Sequence, residues 1–138
     1  MSDPSDALQV AIYDALVADA GVGALVADRV FDKVSVGDLP EMPYVAFGDF
    51  QVLDDGAGCI DGSEVFVTLH VWSRQRGTRE AKQVVSAVRK ALHEADLALG
   101  SDHRLIEIMF RDSRVFFDAD GLTAHGVLTF RALTETAV

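Results

Sequence analysis

Four histidines are the residues of this sequence that first suggest a metal site, since neutral imidazole is a common zinc ligand. They stand at His70, His93, His103 and His125. No two of them have the i, i+4 spacing with an adjacent glutamate that zinc hydrolases use. We therefore predict no metal site and no catalytic histidine, and we expect solvated or locally hydrogen-bonded rings.

The acidic segment Asp118-Ala119-Asp120-Gly121 begins like a calcium-binding loop. In that register Thr129 occupies the position at which a bidentate glutamate is required. The calcium motif therefore fails. An Asp-Gly pair accepts the positive φ angles of a tight hairpin, so the segment predicts a turn between two strands.

The remaining catalytic and cofactor motifs also fail. Gly21-Val22-Gly23 follows a predicted helix and lacks the third glycine of a dinucleotide fingerprint. A phosphate-binding loop and a nucleophile elbow are missing from the sequence, and the single Cys59 has no flanking signature of an activated thiol. We predict no catalytic residue and no cofactor, while an enzyme using an acid pair such as Asp118 and Asp120 stays open as an alternative.

Composition narrows the class of partner. The 138 residues include 12 basic and 22 acidic side chains, a formal net charge of −10, which opposes tight binding to phosphate backbones. Hydrophobic residues make up 49% of the chain, as in a globular protein, so we expect one domain over residues 1–138. The acidic N-terminus predicts no secretory signal, and no apolar run has the length of roughly 18 residues that a membrane span needs.

Two amphipathic helices are predicted. The first runs from Ala7 to Ala20 with a Leu8, Ile12, Leu16 stripe, capped by Ser2 or Asp3 and ended by Gly21 and Gly23. A short helical turn is expected from Ala24 to Asp28. The second helix begins at Thr78 and carries apolar residues at helical spacing through Val84, Val88 and Leu92.

One charged stripe of the second helix consists of Arg79, Lys82, Arg89 and His93. At 3.6 residues per turn it lies about 120° from the apolar stripe. A solvated face, contact with an acidic neighbour, and nucleic-acid binding all remain open for it.

The rest of the chain reads as strands joined by loops. Strands are predicted at 29–34, 44–53, 63–73, 103–118 with a possible interruption at 111–113, and 122–133. The loop containing Pro40 and Pro43 separates the first two. These elements predict an α+β fold, with an antiparallel-dominated sheet of about four or five strands and two amphipathic helices packed against it.

The strand from Ser63 to Ser73 alternates strictly, with Val65, Val67, Leu69 and Val71 on one side. Its other side carries Phe66 and Trp72, so we expect this side to be covered as well, by a helix or by another subunit.

Five segments taken together resemble a known family. They are Val30 to Val34, Met42 to Gly48, Leu69 to Arg74, Gly77 to Leu92 and Asp118 to Leu133. In this order and spacing they resemble the tail completion family of long-tailed phages (DUF3168). The closing stretch is similar to the version found in gene transfer agents, which are phage-like particles encoded by bacteria.

The resemblance implies a tail terminator made in the bacterial cytoplasm and located at the head-proximal end of a phage-like tail. Its subunits would form a hexameric ring that stops growth of the tail tube, joins the tube protein to the head connector protein, and lets DNA pass without specific binding. The family has no catalytic motif.

Several surfaces are candidates for these contacts. Phe66, Trp72, Arg79, Lys82 and Arg89 are candidates for subunit or partner contact. The acidic residues Asp54, Asp55, Asp61 and Glu64 are candidates for the channel or its rim. A dimeric adaptor module remains the alternative from another class.

Overall fold

The computed structural model of the chain describes residues 3–35, 37–56 and 61–137. In these ranges the chain forms three helices and five strands. They are α1 (Ser5–Ala18), α2 (Ala20–Val26), β1 (Val30–Phe31), β2 (Tyr44–Asp54), β3 (Gly62–Ser73), α3 (Arg79–Leu92), β4 (His103–Phe117) and β5 (Ala124–Thr136).

The five strands form one sheet in the order β1-β2-β3-β5-β4. β1 pairs in parallel with β2, and the other three pairings are antiparallel. The predicted α+β class is thus confirmed, with a mixed sheet. The parallel pair joins only Val30 and Phe31 to Val45 and Ala46, so the predicted 29–34 strand is much shorter than expected.

Local hydrogen bonds determine where α1 begins and ends. α1 ends at Ala18 because Asp19 turns the chain and accepts a hydrogen bond from the Val22 N–H at 2.9 Å, which caps α2. The predicted stop at Gly21 and Gly23 is therefore wrong, since both lie inside α2. At the other end of α1, Asp3 accepts from the Ser5 N–H at 2.8 Å, and Pro4 is the N-cap residue.

Both predicted helix stripes are buried. Leu8, Ile12 and Leu16 of α1 have no exposed surface, nor do Val84, Val88 and Leu92 of α3. These side chains join one core with Val65, Val67, Leu69 and Val71 of β3 and with Leu128 and Phe130 of β5. α3 lies so close to the sheet that a Cβ on Gly126 would stand 2.7 Å from Cγ2 of Val85.

Two long strands form the hairpin that completes the sheet. β4 continues through the predicted interruption at 111–113 and accommodates it as a register shift between Phe110 and Asp112. The expected turn joins it to β5, with Gly121 N–H donating to the Asp118 carbonyl at 2.9 Å. β4 is an edge strand of 15 residues, and most of its side chains are exposed.

No single helix in the described ranges is long and apolar enough to cross a membrane. α1 and α2 together would have the required length and composition, but their axes are bent by 78°.

Candidate assembly surface

The helices pack on one side of the sheet, and the other side carries the candidate contact residues Phe66 and Trp72. We call this second side the open face. On β3 and β5 its members are half-exposed, alternating with fully buried residues. They are Glu64, Phe66, Thr68, His70 and Trp72 on β3, and His125, Val127, Thr129, Arg131 and Leu133 on β5. Phe66 and Trp72 therefore lie away from α1 and α3.

One end of the open face is a stack of aromatic rings. Trp72 and His125 lie in parallel planes with centroids 3.7 Å apart, and Phe116 of β4 approaches His125 at 4.9 Å. His70 Nδ1 lies 2.8 Å from His125 Nε2, so one ring donates a hydrogen bond to the other. The strand register makes this contact possible, because Trp72 pairs with His125 and His70 is its diagonal neighbour.

The backbone of β2 is shaped to this pair. A Cβ on Gly48 would stand 2.6 Å from Nε2 of His70, so only glycine leaves room for the imidazole at its present position. Burial lowers the pKa of both His70 and His125, and each ring is neutral at neutral pH. The two facing nitrogens are engaged with each other, so this pair is a packing feature of the open face.

A groove of about 420 Å³ opens beside the ring stack. Its apolar wall includes Met42 from the Pro40–Pro43 loop, Leu39 directly before that loop, and Trp72. The polar rim comes from Arg74, directly after β3, and from the β4–β5 turn, where the Thr123 hydroxyl accepts a hydrogen bond from Arg74 Nε at 3.2 Å. Thr123 in turn donates to the Asp120 carboxylate at 2.7 Å. Apolar walls with a polar rim are the composition of a protein contact surface.

Asp120 acts structurally in this turn. Its carboxylate accepts hydrogen bonds from the backbone N–H groups of Leu122 and Thr123, at 2.9 and 2.8 Å. These bonds lower the pKa of Asp120 to about 2. A carboxylate held ionised by its own turn is poorly suited to proton transfer, which argues against the acid pair proposed as an enzymatic alternative.

The other end of the open face is polar. Arg131 donates to Glu64 and also lies 3.9 Å from Glu107 on β4. The Arg111 guanidinium lies 4.8 Å from the centre of the Phe66 ring. Phe66 therefore forms part of a charged surface, whereas Trp72 belongs to the aromatic end.

The predicted acidic residues separate into two groups. Asp54 and Asp55 are exposed at the end of β2, and Asp61, directly before β3, accepts from the Thr136 hydroxyl at 3.0 Å. Glu64 instead points onto the open face and pairs with Arg131. Residues 57–60 of this loop, including Cys59, lie outside the described residues.

The charged stripe of α3 is only partly solvated. Arg79, Lys82 and Arg89 are exposed, and the Arg89 guanidinium lies 4.2 Å from the centre of the Phe110 ring. His93 Nδ1 accepts a hydrogen bond from the Phe110 N–H at 2.9 Å, which anchors the end of α3 to β4. For the histidines we expected solvated or locally hydrogen-bonded rings. The ring of His93 is locally hydrogen-bonded.

Sequence analysis missed the pairing of His70 with His125 and the need for Gly48. The sequence shows that both histidines lie on the second side of their strands. It does not show the register in which the two strands pair, and this register brings the rings together. Among residues 3–35, 37–56 and 61–137, no group of three His, Cys, Asp or Glu side chains is placed to hold a metal ion.

Comparisons with known proteins point to one family. Residues 10–135 match the family model of tail completion protein gp17. A chain of the virion of a native gene transfer agent particle has 32% sequence identity and a TM-score of 0.88, covering 98% of this chain and 99% of that one. The structure of the bacteriophage SPP1 gp17 protein matches with 25% identity and a TM-score of 0.59, over 93% of this chain and 88% of that one. No curated protein sequence matches the chain.

Proposed function

The chain belongs to the tail completion protein gp17 family, and from this premise we propose that it forms the ring that terminates a tail tube at its head-proximal end. It is a structural protein of the tail of a phage-like particle. The observation that carries the proposal is the likeness to a gene transfer agent virion chain over nearly the full length of both chains.

A growing tube presents a ring of repeated surfaces to which another identical ring can add. A terminator stops this growth by matching that surface on one side only and presenting a different surface on the other. Six subunits would complete the ring. One rim would bind the tail tube protein, and the opposite rim would bind the head connector protein.

The open face supplies contacts between subunits in this proposal. A stable interface needs about 800 Å² on each partner with a few buried aromatic anchors, and Trp72 and Phe66 are the anchors we propose. The Pro40–Pro43 loop borders the same face, since Met42 lines the groove beside Trp72. Arg79, Lys82 and Arg89 form a second contact surface on α3.

Acidic side chains keep the channel from holding DNA. Six chains of charge −10 would carry about −60, which repels the phosphate backbone at short range. We place Asp54, Asp55 and Asp61 at the channel or its rim. Glu64 is closer to the open face because of its bond to Arg131.

Deletion of the gene in the producing bacterium tests the function. We expect DNA-filled heads separated from tails, and tails that are overlong or irregular in electron micrographs. The same gene supplied on a plasmid should restore attached tails of normal length. Normal attached tails in the deletion strain would contradict the proposal.

A further inference from the structure

The charges of this chain are strongly segregated along the sequence. Residues 1–73 contain 13 of the 22 acidic residues but only 2 of the 12 basic ones. In the structure, α1 contains no basic residue, whereas α3 and β4 together carry most of the basic residues of the chain.

The cations divide into paired and unpaired groups. Three arginines form ion pairs with carboxylates: Arg29 with Glu41, Arg104 with Glu135, and Arg131 with Glu64 and Glu107. Within the described ranges, no carboxylate pairs with the cations of α3 or of the middle of β4. These are Arg79, Lys82, Arg89, Lys90, Arg111 and Arg114. Arg111 lies against Phe66 on the open face, whereas Lys82, Arg89 and Arg114 lie together between α3 and β4. On a chain with a surplus of acids, such a group of unpaired cations suits an acidic partner.

Some of these cations surround a groove. A groove of about 350 Å³ lies between α3 and β4, with Lys82, Arg89 and Arg114 at its rim. Val85 and Val115 supply an apolar floor, and Ser86 and Ser113 complete the lining. No acidic residue lines this groove in the described part of the chain. It fits a partner that is both acidic and apolar.

The exposed side of α1 has this composition. Val10 is 53% exposed and Tyr13 is 39% exposed, although the opposite side of the same helix is fully buried. Asp6 lies one turn before Val10, and Asp14 lies one turn after it. With Tyr13 these residues form one exposed stripe along α1. A helix with apolar residues on both sides is typical of one that is covered on both sides. We call this stripe the α1 stripe.

The two surfaces are also positioned for a ring. α1 and α3 pack side by side over the sheet, with α1 towards β1 at one edge and α3 towards β4 at the other. A closed ring is built from heterologous contacts, in which one surface of each subunit binds a different surface of the next. The α1 stripe and the groove are two different surfaces and meet this requirement, while a surface that binds itself would give a dimer.

We infer that the α1 stripe of each subunit packs into the groove between α3 and β4 of the next subunit, closing the ring through complementary charges around apolar anchors. This inference rests on the proposed function. Asp6 and Asp14 face Lys82, Arg89 and Arg114 across the contact, and Val10 and Tyr13 lie on the floor formed by Val85 and Val115.

Charge reversal tests the contact. Lys82→Glu with Arg89→Glu should lower the yield of particles with attached tails roughly 10-fold or more, because like charges then face each other across the interface. Adding Asp6→Lys and Asp14→Lys should restore the yield to within about threefold of the parent, since the pairing is then inverted. Thermal melting of the purified variants checks that the exposed substitutions leave the fold intact.

Two matched controls have the same charge change elsewhere. Lys33→Glu with Arg76→Glu alters two exposed cations that lie outside this groove and outside the α3 contact surface, and should keep the yield within about threefold of the parent. Asp28→Lys with Asp32→Lys should not rescue the groove variant. Rescue by that pair, failure of the α1 pair to rescue, or equal loss in the groove variant and in the Lys33, Arg76 variant would overturn the inference.

Cross-linking in assembled particles gives an independent readout. In a Cys59→Ser background, Val10→Cys with Ser86→Cys and a short bis-maleimide should produce a ladder of linked subunits that ends at the ring size. Particles that contain the protein at the head-proximal end but give no ladder would refute the contact and leave the terminator function standing. Salt-sensitive duplex DNA binding that the Lys82→Glu, Arg89→Glu variant abolishes would show that the groove holds nucleic acid instead.

Discussion

Four residues on the helix-covered side of β3 have no exposed surface: Val65, Val67, Leu69 and Val71. The residues between them point to the open face and are half-exposed. The same contrast holds along β5, where Leu128 and Phe130 are buried and His125 and Thr129 are not. Between Val65 and Val71 the covered side of β3 is entirely aliphatic, with the buried Ser63 and Ser73 at its two ends. The open face combines aromatic rings, two histidines and an arginine that is paired with acids.

The difference separates two tasks that one pair of strands performs. The covered side excludes water with α1 and α3 and supplies the free energy of folding. The open face keeps polar partners satisfied while leaving ring surfaces half-exposed, which suits a face that is solvated in the monomer and covered in an assembly. Substitutions on the two sides should therefore affect different measurements.

The largest effect is expected on the covered side. Val88→Asp would place a carboxylate among fully buried side chains that offer it no partner, and should lower the free energy of unfolding by about 3 to 5 kcal/mol. Denaturant unfolding of the purified protein measures this. Gln83→Asp, at an exposed position in the first half of the same helix, should change the free energy by less than about 0.5 kcal/mol. Equal midpoints for the two variants would mean that α3 packs by another side.

A smaller loss of stability is expected on the open face. Trp72→Ala and Phe66→Ala should each lower the free energy of unfolding by about 1 kcal/mol, since both rings are half-exposed and part of their surface stays solvated. Both variants should nevertheless fail to give particles with attached tails, because the anchors of the subunit contact are lost.

Leu69→Ala is the matched control on the covered side of the same strand. It should cost about 2 to 5 kcal/mol and, in cells cool enough to keep it folded, still give attached tails. If Trp72→Ala assembles normally while Leu69→Ala does not, the open face has no role in the ring.

The parts of the fold that sequence could predict are those set by local periodicity. The stripes through Ile12 and Val88 follow the helical repeat, and the alternation around Leu69 follows the strand repeat, and all three positions are buried as expected. The turn at Asp118–Gly121 was predictable because its chemistry lies within four residues.

Features that depend on distant partners were not predictable in this way. The end of α1 was misplaced because the cap from Asp19 to Val22 outweighs the low helix propensity of Gly21 and Gly23. The parallel pairing of Val30 with Val45 joins residues whose relation is set only by the packed sheet. The contact of His70 with His125 needs the β3–β5 register, which periodicity alone does not define.

The smallest expected effect concerns the histidines of the open face. Burial lowers the pKa of both His70 and His125, and the neighbouring His70 further lowers that of His125. Asp49 and Asp118 oppose this effect, while Arg114 adds to it at His125. The unfolded chain therefore takes up protons at a higher pH than the folded chain does. The stability contributed by the neutral pair is complete above about pH 6.5 and is lost as the pH falls through the lowered pKa values.

We expect the free energy of unfolding to fall more between about pH 7.5 and pH 5.5 in the parent than in a His70→Asn, His125→Phe variant. The difference should be below about 1 kcal/mol, because both rings are half-exposed and solvent screens the added charge. Denaturant unfolding at several pH values measures it, and His103→Gln is the control for a histidine outside the pair. Identical pH dependence in the parent and the double variant would show that the pair contributes no proton-linked stability. A subunit that covers this face would bury the rings further and lower their pKa values again, so assembly would release protons and acid should weaken the assembled ring more than it weakens the free chain.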